Sequence, residues 1–358
     1  MPAGAEKTED RRPETGLPSP VSRLLCLAIE TSCDETAAAV LAGRTRVLSN
    51  VVSSQFVHSR YGGVVPELAA RAHAQMILPV TLAALEAAGA RWQDLDCIAA
   101  THAPGLMGAL LVGLPFAKAL ARSLDRPFVG VNHLEGHLFA LRLTCPDLEP
   151  PFLGAILSGG HTELIEVEDW CRYRLLGATV DDACGEAFDK VAKMLGLGYP
   201  GGSMVEELAR RGRAAIPFPL PTPGSDRTAD SLDFSFSGLK TAVLYWLRNN
   251  PGSDRADVAA SFQHAAVEGV CRRLVQARGR TGLDVIGISG GVAANGHLRK
   301  RLGELAAEHG FRLVVPELRY CSDNAAMIAA AAVERLVRVG PSPLDLPASA
   351  RAGLDPAV

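Results

Sequence analysis

The sequence predicts a duplicated α/β fold in which two similar lobes enclose a ligand cleft. Each half begins with a strand, a polar turn and a second strand, at residues 24–41 in the first half and 151–167 in the second. Each half continues with a strand, a glycine-bearing loop and a helix, at residues 96–123 and from residue 284 onward. Because the same parts recur in the same order, we infer that one α/β unit occurs twice.

In the first half, the apolar run 24–29 is typical of a buried strand, and the extended apolar run 36–41 follows the polar turn 30–35. Residues 96–101 predict a further strand, and the loop Ala-Pro-Gly at 103–105 separates it from a helix that ends at about residue 123. These elements form one strand–turn–strand unit and one strand–loop–helix unit.

The second half repeats the pattern with a strand at 151–157, a Ser-Gly-Gly-His turn at 158–161 and a strand at 162–167. A strand at 284–289 then leads through two glycines into a helix from about residue 294. The paired strands start 72 residues apart in the first half, at Leu24 and Asp96, against 133 in the second, at Pro151 and Asp284. The excess predicts an insertion within residues 182–250, which includes a helix over 182–197.

These patterns predict a disordered tail at residues 1–23, an N-terminal lobe at 24–150 and a C-terminal lobe at 151–322. A helix at 323–340 is expected to pack back on the N-terminal lobe, and residues 341–358 form a C-terminal tail.

Composition suits a protein with a sizeable core, since 48% of the 358 residues are hydrophobic and 21% are charged. The net charge of −3 excludes nucleic-acid binding through bulk positive charge, so such a partner requires a local basic patch. The candidate patch residues are Arg210, Arg211, Arg213, Lys300 and Arg301.

The eight cysteines contain no Cys-x-x-Cys pair, which favours reduced thiols in a cytosol. The first 22 residues lack the apolar core of a signal peptide. The longest apolar stretch, 105–117, contains Pro115 and is stopped by Lys118, so we expect no membrane span and a cytoplasmic protein.

The most informative local feature is a pair of histidines, His133 and His137, four residues apart. On a helix this spacing places both imidazoles on one face, where they can bind one divalent metal ion. Two histidines at this spacing are more often unrelated residues, but here Asn132 is a candidate N-cap and a strand ends just before it. Glu135 follows His133 by two residues, so it points away from the histidines, unlike the glutamate of a His-Glu-x-x-His protease.

Asp323 is a candidate third ligand, although by itself it is most simply the N-cap of the apolar helix that follows. Two histidines and one carboxylate form a facial triad suited to iron(II) or zinc. The loop Ser158–Gly159–Gly160 and the loop at 289–295 can offer backbone N–H groups to an anion, which indicates a nucleotide site. Asp189 and Glu206 are candidates for ribose recognition, although solvated helix residues are the simpler explanation for both.

The chain resembles the TsaD family, the tRNA N6-adenosine threonylcarbamoyltransferases formerly described as O-sialoglycoprotein endopeptidases. Eight sequence blocks carry the resemblance in the family's order: residues 29–36, 132–137, 157–163, 181–190, 199–202, 234–241, 290–295 and 321–324.

The resemblance implies a duplicated actin-like (ASKHA, RNase H-like) two-lobe fold with a central cleft. It implies transfer of a threonylcarbamoyl group from threonylcarbamoyl-AMP to N6 of adenosine 37 in tRNA. It assigns one divalent metal ion, Fe²⁺ with Zn²⁺ as the second choice, to His133, His137 and Asp323. The adenylate-binding positions that it implies are Ile156, Leu157, Ser158, Gly159, Gly160, Asp189, Gly202, Glu206 and Asn295.

Asp34 and Glu35 match acidic residues that matter for activity in the family. The implied partners are tRNA, a smaller paralogous actin-like protein (TsaB-type) and a small ATPase (TsaE-type). An actin-like ATPase or sugar kinase shares the fold, but phosphoryl transfer uses Mg²⁺ on carboxylates and phosphates rather than a histidine pair. A metalloprotease is disfavoured by the position of Glu135. A non-catalytic scaffold of the same fold would have no reason to keep all three metal ligands.

Overall fold

A computed structural model describes residues 20–55, 58, 63–223 and 231–354. Most of the expected N-terminal tail and part of the polar segment before Asp233 lie outside the described residues.

Two five-stranded sheets form the two halves of the molecule. The strands of the first sheet are β1 (Leu25–Glu30), β2 (Glu35–Ala42), β3 (Arg46–Ser54), β4 (Cys97–Ala103) and β5 (Phe128–Asn132). Those of the second sheet are β6 (Phe152–Leu157), β7 (Thr162–Asp169), β8 (Arg172–Ala178), β9 (Val285–Ser289) and β10 (Arg312–Val314).

The described helices are α1 (Pro66–Ala88), α2 (Met107–Leu124), α3 (His133–Thr144), α4 (Cys184–Met194), α5 (Gly201–Ala209), α6 (Ser237–Asn249), α7 (Arg255–Thr281), α8 (Gly296–His309) and α9 (Ala325–Arg338). The helix expected at 182–197 is shorter, because Gly196 takes a left-handed conformation with φ +71° just after the helix ends.

The two sheets have the same topology, which confirms the predicted duplication. The first runs β3-β2-β1-β4-β5 and the second β8-β7-β6-β9-β10. In both, the first three strands in sequence pair antiparallel and the last two pair parallel. The carboxyl ends of β1, β4 and β5 therefore share one edge, as do those of β6 and β9.

Helices α3 and α9 pack against each other between the sheets. Helix α9, the last element of the second half, lies on β1 and β2 of the first sheet, whereas α3 contacts β6 and β9 of the second. The two helices approach closely at Gly136, where a Cβ atom would lie 2.7 Å from Cδ1 of Ile328. Each half thus ends in a helix that covers the other half's sheet.

The outer face of the first sheet is covered by α1 and α2, which share a buried apolar cluster with Leu27 and Ile29. By length and composition alone, both helices could cross a membrane, because each is longer than the apolar stretch that the sequence marks at 105–117. Both also pack against sheet strands, and Pro79 and Pro115 lie inside them. Core helices pass the same length test, so these two are weak evidence for a membrane.

Candidate metal centre and nucleotide cleft

The histidine pair lies at the start of α3, where β5 ends. Asn132 has extended backbone angles, and its Oδ1 accepts a hydrogen bond of 2.9 Å from the N–H of Leu134. This confirms Asn132 as the N-cap. The cap starts the helix at His133, and the two imidazole centroids of His133 and His137 lie 4.7 Å apart.

Asp323 faces both histidines. Its Oδ1 lies 3.4 Å from Nε2 of His133 and 3.4 Å from Nε2 of His137. The N-cap of α9 is Asn324, whose Oδ1 accepts a hydrogen bond of 3.0 Å from the N–H of Met327. The interpretation of Asp323 as the cap was therefore wrong, and its carboxylate is free to meet the imidazoles.

The three side chains fit a divalent metal ion. Their ligand atoms lie within 4.8 Å of one another. His137 is fully buried, and among the described residues neither of its ring nitrogens has a hydrogen-bond partner. A buried nitrogen without a partner costs about 1–3 kcal/mol, and a metal ion would remove that cost by accepting its lone pair. Two neutral imidazoles and one carboxylate suit iron(II) or zinc.

Glu30 supports His133 from behind, a contact that the sequence does not predict. Oε2 of Glu30 lies 3.1 Å from Nδ1 of His133 and accepts a 2.5 Å hydrogen bond from Thr101. The hydroxyl of Ser32 lies 3.1 Å from the same Nδ1. A carboxylate on the far nitrogen orients an imidazole for metal binding. The sequence feature that could have indicated this role is the position of Glu30 at the carboxyl end of β1, close to Asp34 and Glu35.

Charges at the centre shift the pKa values of its members. Burial opposes the charged form of Asp323, but the nearby His133 and His137 hold its pKa well below the usual value. For His133, burial is outweighed by Asp323 and Glu30, which raise its pKa well above the usual range. The cluster therefore behaves as an ion pair when no cation is bound.

Asp34 lies in the turn between β1 and β2, and Glu35 is the first residue of β2. Both line the same cleft as His133 and Asp323. Burial, followed by the charges of Asp323 and Asp34, raises the pKa of Glu35 to about 9. In this arrangement Glu35 keeps its proton at neutral pH.

The loop after β6 offers free backbone donors. The N–H of His161 donates to Oγ of Ser158 at 3.0 Å, which closes the turn. Within the described part of the chain, the N–H groups of Gly159 and Gly160 have no hydrogen-bond partner, and no atom lies within 4 Å of a Cβ placed on either residue. The loop therefore has both the donors and the space for an anion.

The second glycine loop packs directly against this first one. Gly290 has φ +91°, and a Cβ there would lie 2.4 Å from the carbonyl oxygen of Leu157. A short 3-10 turn, Gly291–Ala294, then precedes α8, which begins at Gly296 rather than near residue 294. Only Gly291 of this loop lines the cleft.

Eight of the predicted site residues line one cleft of about 930 Å³: Asp34, Glu35, His133, Ser158, Gly159, Gly160, Asp189 and Asp323. His137 lies buried behind His133. Ile156 and Leu157 are fully buried in β6, so only their backbone can face a ligand.

Gly202 and Glu206 on α5 and Asn295 at the start of α8 do not line that cleft. Oε1 of Glu206 accepts a hydrogen bond of 3.1 Å from Gly296. Asn295 caps α8 through Leu298 at 2.9 Å, and its amide donates to Gln263 at 2.8 Å. The side chains of Glu206 and Asn295 thus already have structural partners in this arrangement.

His161, which was not among the predicted site residues, also lines the cleft. Burial, reinforced by His133 and His137, lowers its pKa to about 4, so it is neutral at physiological pH. Its position directly after Ser158–Gly160 is the sequence feature that could have indicated a role in the site.

The predicted basic patches are largely neutralised. Arg210 pairs with Glu206 at 3.0 Å, Arg211 with Glu207 at 3.5 Å and Arg301 with Glu268 at 2.7 Å. Paired surface charges project a weaker field, so these residues are poor candidates for a strong phosphate contact.

Both the sequence and the fold of this chain resemble those of known proteins. A sequence model of the TsaD family, described as tRNA N6-adenosine threonylcarbamoyltransferase, matches residues 46–330. The protein of that name from Symbiobacterium thermophilum is 53% identical over 315 residues, covering 87% of this chain and 91% of its own. Its counterpart from Kosmotoga olearia is 50% identical over 320 residues, covering 89% and 96%.

Among solved structures, HypF from T. kodakarensis has a TM-score of 0.61 at 17% identity, covering 88% of this chain and 48% of its own. Component A of (R)-2-hydroxyglutaryl-CoA dehydratase from Acidaminococcus fermentans has a TM-score of 0.52 at 15% identity, covering 88% and 99%. These likenesses show the fold alone, which is the actin-like two-lobe fold. By its sequence, the chain belongs to the TsaD family of tRNA N6-adenosine threonylcarbamoyltransferases.

Proposed function

We propose that this protein transfers a threonylcarbamoyl group from threonylcarbamoyl-AMP to N6 of adenosine 37, the nucleoside 3′ of the anticodon, in tRNAs that read codons beginning with A. The observation that carries the proposal is the meeting of His133, His137 and Asp323 at the cleft of a TsaD-family chain. The anion-binding loop Ser158–Gly160 lies in the same cleft.

The reaction joins a weak nucleophile to an activated carbonyl. N6 forms a bond to the carbamoyl carbon, the bond from that carbon to the phosphate oxygen breaks, and AMP leaves with the electron pair. One proton leaves N6. Because the lone pair of N6 is delocalised into the ring, the protein must polarise the carbamoyl group and stabilise the leaving phosphate.

His133, His137 and Asp323 would hold one divalent ion per subunit, for which we propose Fe²⁺, with Zn²⁺ as the second choice. When bound, the ion supplies Lewis-acid stabilisation for charge on the carbamoyl group. Glu30 fixes the orientation of the His133 ring, and Asp323 joins the two halves of the chain at this point.

The other site residues bind the adenylate and handle the proton. The free N–H groups of Gly159 and Gly160 would donate to the phosphate, and the backbone of Ile156, Leu157 and Ser158 carries that loop. Asp189, Gly202, Glu206 and Asn295 would contact the nucleoside. Asp34 or Glu35 would orient N6, because both line the cleft beside Asp323. The proton of N6 would pass to Asp34, since Glu35 is already protonated in this arrangement.

We further propose that the protein acts in the cytoplasm, with a smaller TsaB-type paralogue and a small TsaE-type ATPase that support supply of threonylcarbamoyl-AMP. A peptidase role has less support, because Glu135 does not face the metal ligands. Its carboxylate accepts hydrogen bonds from Tyr173 at 2.8 Å and Arg335 at 3.0 Å.

The test is tRNA modification by the wild type and by His133→Ala, supplied with threonine, bicarbonate, ATP and the partner proteins. Loss of a metal ligand should lower the rate by about 100-fold or more, since loss of a residue that only orients a ligand already costs about 10- to 100-fold. His309→Ala, an exposed histidine at the end of α8, is the matched control and should keep wild-type activity. Full activity of His133→Ala would exclude the proposed role of the metal.

A further inference from the structure

Tyr199 is an aromatic side chain in the cleft to which neither the metal centre nor the anion loop gives a role. Among the described residues that line the cleft it is the only Phe, Tyr or Trp. The other aromatic rings that line the cleft are the imidazoles of His133 and His161.

The segment that carries Tyr199 is held against α4. Oδ1 of Asp189 accepts a hydrogen bond of 2.7 Å from the N–H of Gly201. A Cβ on Gly201 would lie 2.6 Å from Cα of Asp189, so the turn between α4 and α5 cannot move closer or carry a larger residue there. The ring is therefore presented from a fixed backbone.

The ring is half-buried, and its hydroxyl has no hydrogen-bond partner within the described ranges. Burial raises the pKa of Tyr199, and the charges of Asp34 and Asp189 raise it further. Tyr199 from the C-terminal lobe thus lies within electrostatic reach of Asp34 on the opposite wall, as a neutral phenol with a free donor.

The acceptor nucleoside needs such a surface. An adenine whose N6 reacts must leave the base stack of the anticodon loop and enter the cleft beside Asp34 and Glu35. Enzymes that accept an extruded base commonly compensate the lost stacking with an aromatic side chain, because every base has an apolar π face.

We propose that Tyr199 is the positioning residue for the acceptor adenine, which stacks on its ring while N6 faces the wall that bears Asp34 and Glu35. The proposal rests on the proposed function, since it names the site for that reaction's nucleophile. The rival occupant is the adenine of the adenylate. Of the residues proposed for that nucleoside, Gly202, Glu206 and Asn295 lie outside the cleft that Tyr199 lines, whereas Asp189 lines it. Kinetic and binding measurements therefore distinguish the two occupants directly.

The kinetic test compares Tyr199→Ala, Tyr199→Leu and Tyr199→Phe in the complete modification reaction. Removal of the ring should lower kcat/KM for tRNA by about 5- to 150-fold, the range for loss of one base–aromatic stack. Tyr199→Phe keeps the stacking face and should stay within about threefold of the wild type. Tyr245→Ala removes an exposed tyrosine on α6 and is the matched control.

Calorimetric measurement of AMP binding shows whether the acceptor adenine of tRNA or the adenine of the adenylate stacks on Tyr199. If Tyr199 serves the acceptor, Tyr199→Ala binds AMP as the wild type does. Weakened AMP binding with an unchanged KM for tRNA would assign the ring to the leaving nucleotide and overturn the proposal. An unchanged kcat/KM for tRNA in both Tyr199→Ala and Tyr199→Leu would also overturn it.

A fluorescence measurement tests stacking without catalysis, and so remains informative even if the wild type makes no modified tRNA. An anticodon hairpin with 2-aminopurine at position 37 should be quenched more strongly when bound to the wild type than to Tyr199→Leu. Thermal melting of each variant checks its folding. Equal fluorescence in the two complexes would contradict stacking on Tyr199.

Discussion

His137 shows at the level of one residue that function and stability are opposed in the metal centre. It is fully buried, and among the described residues neither ring nitrogen makes a hydrogen bond, although Nε2 lies 3.4 Å from Oδ1 of Asp323. Burial lowers its pKa. We expect metal-free His137→Leu to be more stable than the metal-free wild type by about 1–3 kcal/mol, because an unsatisfied polar ring is replaced by an apolar side chain of similar size.

Urea unfolding with and without Fe²⁺ or Zn²⁺ measures both effects. The metal should stabilise the wild type and leave His137→Leu unchanged, since ligand binding to the native state adds to its stability. A metal-free variant that is less stable than the metal-free wild type would contradict this account of His137.

The raised pKa of Glu35 predicts that the stability of the metal-free protein depends on pH. Its pKa is about 4.5 in an unfolded chain and about 9 in the fold. Between these values the native state binds more protons than the unfolded state, so stability falls as the pH rises through this window. His133, with a raised pKa, contributes in the same direction.

We therefore expect Glu35→Gln to unfold with a weaker pH dependence than the wild type. Between pH 5 and pH 9 the wild type should lose roughly 1–4 kcal/mol more stability than Glu35→Gln. This range follows from about 1.4 kcal/mol per pKa unit, reduced because the carboxyl is partly exposed to solvent. Denaturant titrations at several pH values check it. If the unfolding free energies of the two proteins changed equally with pH, Glu35 would have an ordinary pKa in the fold.

At the level of the element, the N-cap of α9 determines where the third ligand points. Asn324 caps the helix and directly follows Asp323. Asn324→Ala should cost about 1 kcal/mol of stability and also weaken metal binding, although Asn324 is not a ligand.

Asp254→Ala is the matched control, because Asp254 caps α7 through Ala256 at 2.8 Å and does not line the cleft. It should lose a similar amount of stability with no change in metal affinity. Chemical unfolding and metal titration of both variants distinguish the effects. Equal metal affinity in Asn324→Ala and the wild type would show that the cap does not orient Asp323.

The elements also show where sequence reasoning succeeds. The cap at Asn132 and the register of His133 and His137 depend on neighbours within one helical turn, so the sequence alone predicts them. The choice between Asp323 and Asn324 as cap was open because either residue can serve. The contact of Glu30 with His133 spans 103 residues and depends on the parallel order β1-β4-β5, which periodicity does not determine.

At the level of the whole molecule, the metal centre lies where the two halves of the chain meet. His133 and His137 follow the first sheet, Asp323 follows the second, and α3 and α9 cross between the sheets. The repeated strand order was predictable from the repeated sequence pattern. The return of the last helix to the N-terminal lobe was also expected. The contact of α3 with the second sheet was not, because it depends on which apolar faces meet in three dimensions.

Glu135 joins these parts and gives a test at this scale. From α3 its fully buried carboxylate accepts hydrogen bonds from Tyr173 on β8 and Arg335 on α9. Glu135→Ala should cost about 3–5 kcal/mol, because it leaves the half-buried Arg335 without its acceptor. Asp94→Ala, which breaks the exposed Arg91–Asp94 pair, is the control and should change stability little.

The same variant separates a structural role of Glu135 from a peptidase role. If Glu135 were a general base beside a metal ion, its replacement would impair catalysis with little change in folding. If it joins three elements, its replacement lowers the unfolding midpoint and, because α3 shifts, also weakens metal binding. We therefore expect urea unfolding to show a lower midpoint for Glu135→Ala, and metal titration to show a weaker affinity. A stable variant with normal metal affinity would show that the lobes do not depend on this contact.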